Sequence, residues 1–137
     1  MKAAELMVGD LVCLKDDIKC ELPLKIDGVL TNDISLEGEG FLGGAEGLIR
    51  PIPITPEILE KNGWERDIDK EWEYNNSHIL PHYCYQWEKR NVKIEMYAGL
   101  EGFTISLIIG RRFYAVHELQ HALRLCGLNE IADNFKI

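Results

Sequence analysis

No stretch of this 137-residue sequence runs apolar for the roughly 20 residues that a membrane-spanning helix requires. The opening Met-Lys-Ala-Ala-Glu-Leu-Met-Val-Gly-Asp has acids early and no apolar h-region, so no signal peptide is expected there. Cationic residues are in the minority, with 15 Lys and Arg against 23 Asp and Glu and a formal charge of −8. The adjacent basic pairs are Lys89-Arg90 and Arg111-Arg112, too little to outweigh an average surface that repels phosphate. Nucleic acid and membrane are therefore not expected partners. The four cysteines, Cys13, Cys20, Cys84 and Cys126, form no Cys-x-x-Cys pair. They are expected to be free thiols that fill core space in a reducing, cytoplasmic setting. The glycines of Glu37–Gly47, five of the chain's twelve, are not followed by the Lys-Ser/Thr of a phosphate-binding loop, and a hairpin tip is expected instead.

What is present is an ordinary globular composition, 46% hydrophobic and 28% charged, enough for a buried core. Residues 1–54 read as a small β-barrel-like unit. A turn at Gly9-Asp10 enters a strand through Leu14, Leu22–Leu30 follows with a break at Asp27-Gly28, and Ile34–Leu36 is a short third strand. Leu48–Ile54 is extended because Pro51 and Pro53 push their predecessors to β geometry, and their missing donors place it at an edge or in a linker. The opening Val-Gly-Asp-Leu-Val resembles the first strand of SH3-like barrels.

Residues 55–137 read as an α+β unit. Thr55-Pro56-Glu57 is a helix start, with Thr as N-cap, Pro at the first helical position and an acid in the first turn. Asn62-Gly63 ends that helix. Alternating apolar residues then predict strands over Glu71–Asn75, Tyr83–Trp87, Val92–Tyr97 and Phe103–Ile109. Their spacing of about ten residues argues for an antiparallel β-meander covered by the short helix and a C-terminal helix. The fold class is α+β, with the two units packed as one body. Residues 128–137 fit either a last helical turn or a returning strand.

The C-terminal helix, Val116–Gly127, carries His117-Glu118-Leu119-Gln120-His121. Two histidines four apart on one helical face can share a Zn²⁺, with the neighbouring Glu as general base. At about 100° per residue, Val116, Leu119, Ala122, Leu123 and Cys126 form one apolar stripe. His117 and His121 fall on the opposite side with Arg124 beside them, away from the core that the stripe covers, which leaves a solvent face, a contact with another part of the chain or a cleft. Arg124 would crowd a dication and cannot deprotonate. Cys126 points elsewhere. The second pair, His78-x₃-His82, is interrupted by Pro81, which breaks helical i,i+4 spacing, and a loop is expected.

The string His117-Glu-Leu-Gln-His-Ala-Leu123 resembles the thermolysin-like zinc peptidases over seven residues. That resemblance implies His117 and His121 as metal ligands and Glu118 as the base. The third ligand of that group, a Glu on a following helix, has no counterpart in this sequence. The metzincin completion needs Gly at 124 and His at 127, where this sequence has Arg124 and Gly127. Along its whole length the chain resembles a group of small uncharacterised proteins of phages and integrated mobile elements of gut-type anaerobic bacteria. The resemblance rests on Leu6-Met-Val-Gly-Asp-Leu-Val12, on Arg50-Pro-Ile-Pro-Ile-Thr-Pro-Glu-Ile-Leu-Glu-Lys-Asn-Gly-Trp64 and on Val116-His-Glu-Leu-Gln-His121. In that group the last segment often reads Val-His-Gln-Leu-Gln-Asn, which implies that the His-Glu-x-x-His pattern is incidental.

The expected function is accordingly that of a non-enzymatic accessory protein acting through protein contacts or self-association, with no cofactor, no catalytic residue and no metal site. The candidate interaction surface is Trp72, Tyr83, Tyr85 and Trp87, since aromatics concentrate in interface cores. The alternative is an atypical zinc-dependent hydrolase using His117, Glu118 and His121.

Overall fold

Thr55 and Pro56 start a helix where the sequence requires one, and that helix heads the second of two compact units in the computed structural model. The structure describes residues 5–30, 33–38, 40–42, 45–69, 71–72, 83–86, 93–96, 103–105 and 112–137. It is an α+β protein. Unit 1 comprises residues 1–53 with 115–135, and unit 2 comprises residues 54–114 with 136–137.

Unit 1 is built on β1 (Leu11–Leu14), β2 (Leu24–Val29), β3 (Ile34–Leu36), β4 (Gly40–Leu42) and β5 (Ile49–Arg50), in the antiparallel order β4-β3-β2-β1-β5. The sheet curls as a half-barrel. β1 divides its pairing, with Leu11 and Val12 opposite Lys25 and Leu24, and Cys13 and Leu14 opposite Arg50 and Ile49. The expected break at Asp27-Gly28 is a shift of register between Ile26 and Gly28 inside a continuous β2. Such a bulge bends a strand without ending it. Leu6, Val12, Ile26, Ile34, Leu36 and Ile49 form the core, with Leu14, Leu24 and Val29 packed against them. The glycine-rich segment departs from a bare hairpin tip. It supplies β4, and a helical turn, α1 (Ala45–Leu48), leads into β5. β5 lies at the sheet edge, where Pro51 and Pro53 forfeit no central ladder bonds.

Two C-terminal helices complete unit 1, α3 (Val116–Leu125) and α4 (Asn129–Asp133). The chain re-enters this unit through a bridge between Pro53 and Ala115 and a bond from the Val116 N–H to the Ile52 carbonyl, 2.8 Å. α3 therefore packs on β1 and α4, and not within the unit that begins at residue 55. The first unit breaks at 53/54, and residues 115–135 group with it. Sequence order suggested a C-terminal helix on the nearer sheet, but the backbone bonds at Ile52 and Pro53 carry it to the first. α3 ends in a Schellman turn: Gly127 has φ +76°, the Leu128 N–H reaches the Leu123 carbonyl at 2.9 Å, and the Gly127 N–H reaches Arg124 at 3.0 Å.

In unit 2, α2 spans Pro56–Lys61 and is capped by Thr55, whose Oγ1 accepts from the Ile58 N–H at 3.3 Å. Gly63, at φ +83°, turns the chain out of it. The second sheet runs β10-β9-β8-β7-β6, all antiparallel neighbours, from β6 (Glu65–Arg66), β7 (Tyr83–Gln86), β8 (Lys93–Met96), β9 (Phe103–Ile105) and β10 (Arg112–Phe113). The expected strand over Glu71–Asn75 does not form at its start. Glu71 and Trp72 are helical, and residues 73–75 lie outside the described set, as do His78 and His82. Glu71 is buried because it has ionic and backbone partners: Arg66 donates to it at 3.0 and 3.2 Å, and the Cys84 N–H at 3.1 Å.

Among the cysteines, Cys13 and Cys20 are joined as a disulfide with Cα atoms 5.6 Å apart, while Cys84 and Cys126 are in no disulfide. That corrects the expectation of four free thiols. The loop after β1 folds back on its own strand, which a spacing of seven residues does not announce.

Candidate functional site

The polar face of α3 meets the turn that precedes β1. Gly9 stands at φ +95°, a conformation open to glycine, and its N–H donates to the Ile26 carbonyl at 2.7 Å. A Cβ at this position would lie 2.7 Å from the Arg124 Nη2 and would push that guanidinium aside. The tight turn delivers Asp10 into the protein, where it has no exposed surface.

Asp10 is held by charge-assisted bonds. Its Oδ2 lies 2.7 Å from the His121 Nε2 and accepts the Met7 N–H at 2.8 Å. Its Oδ1 accepts from the Arg124 Nη1 at 2.8 Å. Arg124 also reaches Asp133 of α4 at 3.4 Å. Gln120, wholly buried, works beside it: its Oε1 accepts the Leu11 N–H at 2.9 Å, and its Nε2 donates to the carbonyls of Gly9 at 3.0 Å and Ala132 at 2.9 Å. One side chain thus ties the pre-β1 turn, α3 and α4 together.

The helical wheel shows why. With Val116 at 0°, Gln120, Arg124, His117 and His121 fall at about 40°, 80°, 100° and 140°, one continuous polar sector opposite the apolar stripe. Both sides of α3 are covered: Leu119 and Leu123 are fully buried on the one, and Gln120 is on the other. His117 is also buried, at 7% exposure, on the side of the helix turned away from the apolar stripe. Burial pushes its pKa below the usual 6.5, with the nearby Asp10 charge pulling the other way. Its Nδ1 is buried without a hydrogen-bond partner among the described residues. The His117 and His121 rings meet edge to face with centroids 5.7 Å apart. Glu118 is partly exposed, in the first turn of the helix.

For zinc chemistry, a ring nitrogen of each histidine and the Glu118 carboxylate would have to face a common open position. The Nε2 of His121 instead faces a carboxylate that also binds a guanidinium. Among the described residues, three ligating atoms come within 4.8 Å of one another at Cys13, Asp17 and Cys20. Trp72 is 67% exposed, Tyr85 is buried at 1%, Tyr83 belongs to β7, and Trp87 lies outside the described residues. In the sequence Asp10 reads as a turn residue and Arg124 as an obstacle to a metal, and Gln120 carries no signal of its own. The signal available was the unbroken polar sector of a helix too short to leave one face idle. No described helix is long and apolar enough to cross a membrane. No protein-family model, curated protein or solved structure matches the chain.

Proposed function

We propose that the protein is a non-enzymatic accessory protein of phage or mobile-element origin, acting in the cytoplasm through protein contacts, and that its His-Glu-x-x-His sequence is a structural latch. One observation carries this reading: the fully buried Asp10 is gripped by both His121 and Arg124. A carboxylate so placed employs the motif's second histidine in folding. The half-barrel order of unit 1 supports an SH3-like architecture for it, and the consecutive antiparallel order in unit 2 supports a β-meander. Both are scaffolds on which binding function sits in surface side chains. Among the described aromatics, Trp72, 67% exposed on a helical turn, is the best placed for contact.

The competing reading, an atypical zinc-dependent hydrolase using His117, Glu118 and His121, draws on the buried Nδ1 of His117, which has no hydrogen-bond partner among the described residues. Elemental analysis of protein purified without a histidine tag separates the two. The latch predicts less than about 0.1 zinc per chain, because a ligand nitrogen engaged by a carboxylate, with no third ligand beside it among the described residues, makes a weak site. Near-stoichiometric zinc that is lost in His121→Ala would establish the hydrolase reading instead. For the contact function, Trp72→Ala should leave stability within about 0.5 kcal/mol while weakening self-association in sedimentation. A wild-type chain that is monomeric at all concentrations removes the support for self-association.

A further inference from the structure

We propose that Cys13 and Cys20 are a reversible thiol–disulfide site, exchanging with low-molecular-weight thiols and disulfides, whose oxidation locks the loop between β1 and β2. The loop is bent back on β1 by contacts that involve no sulfur. Arg50, which faces Cys13 across the β1–β5 pair, donates through Nη2 to the carbonyls of Asp17 and, at 2.7 Å, of Ile18. The Asp17 carboxylate accepts the N–H groups of Glu21 at 3.0 Å and Leu22 at 2.9 Å. The Cys20 N–H donates to the Asp17 carbonyl at 3.1 Å. These bonds bring the two Cα atoms to 5.6 Å, inside the disulfide range of about 4.4–6.8 Å. Cys20 is held at φ +52°, a left-handed conformation that residues with a Cβ avoid and that concentrates at functional positions.

The two sulfurs differ in access. Cys13 is wholly buried in β1, whereas Cys20 is partly exposed on the loop. Exchange therefore enters at Cys20. Its thiolate attacks a small disulfide, forming a mixed disulfide and releasing one small thiolate. Cys13, having given up its proton, then attacks the Cys20 sulfur and releases the second. Two protein thiols are oxidised, one small disulfide is reduced to two thiols, and both protons pass to the departing sulfurs. The bridge closes a ring that contains Ile18, an apolar side chain 86% exposed, so oxidation restricts the conformations in which it is displayed.

The test is to equilibrate the full chain in buffers of reduced and oxidised glutathione, quench by alkylation and map the cysteines by mass spectrometry. The bridge should form and open reversibly in the wild type, and the oxidised form should melt about 5–10 °C higher than the reduced form. Cys13→Ser should accumulate a glutathione adduct on Cys20, and Cys20→Ser at least about tenfold less on Cys13. Absence of the bridge at every glutathione ratio overturns the proposal, and that arm needs no substitution. Equal adducts on the two single variants overturn the order of attack. Because Asp17 completes a set of three ligating atoms, zinc is included as a probe. A reduced protein that holds stoichiometric zinc through both cysteines and resists oxidation would make this a metal site and overturn the redox assignment.

Discussion

A carboxylate taken wholly out of water costs several kcal/mol unless ionic and hydrogen-bonding partners replace its hydration, and Asp10 is wholly buried between His121, Arg124 and the Met7 N–H. Gln120 raises a parallel requirement. Gln120→Ala leaves the Leu11 N–H and the carbonyls of Gly9 and Ala132 without their partner. It should destabilise unit 1 by about 3–5 kcal/mol, read as a lower urea midpoint at unchanged slope. A loss under about 1 kcal/mol would mean that water replaces those bonds. His117 gives the pH dependence. Its folded pKa is lowered chiefly by burial, so below the unfolded value of 6.5 the unfolded chain binds more protons than the folded one. Stability present above pH 6.5 is therefore lost as pH falls toward the folded value. His117→Gln should flatten that part of the urea-midpoint profile, whereas an unchanged slope would place the proton uptake elsewhere.

At the level of elements, local chemistry was legible where a cap and a period agree. α2 starts at Thr55-Pro56 and is followed by Asn62-Gly63 because a hydroxyl cap, a proline already at helical φ and a left-handed glycine act within one turn. Thr55→Ala should cost about 1 kcal/mol in the unfolding of unit 2. An effect below experimental error would show that tertiary packing alone sets that terminus. Elements decided by distant partners were not legible. Glu71 and Trp72 alternate like a strand, yet Glu71 turns inward to Arg66 and the Cys84 N–H, and these two residues are helical. The placement of α3 likewise depends on bonds to Ile52, about sixty residues away in sequence, that no periodicity encodes. For the site, the apolar stripe of α3 was readable. Its polar face was visible but its partner was not, because Asp10 looks like any turn acid before its burial is known.

For the molecule as a whole, a formal charge of −8 sets the long-range field. The chain should fail to retard duplex DNA at about 0.15 M salt, and a salt-dependent shift would reveal a local basic surface that the average charge hides. The same scale holds the central claim, that a sequence with the outline of a zinc-peptidase motif is spent on joining the C-terminal helix to the N-terminal sheet of unit 1. A double-mutant cycle between Asp10 and His121, using Asp10→Asn and His121→Gln with urea unfolding of the metal-free protein, measures that join directly. The latch predicts a coupling of about 1–3 kcal/mol. Additive losses, with coupling below about 0.3 kcal/mol, would contradict it.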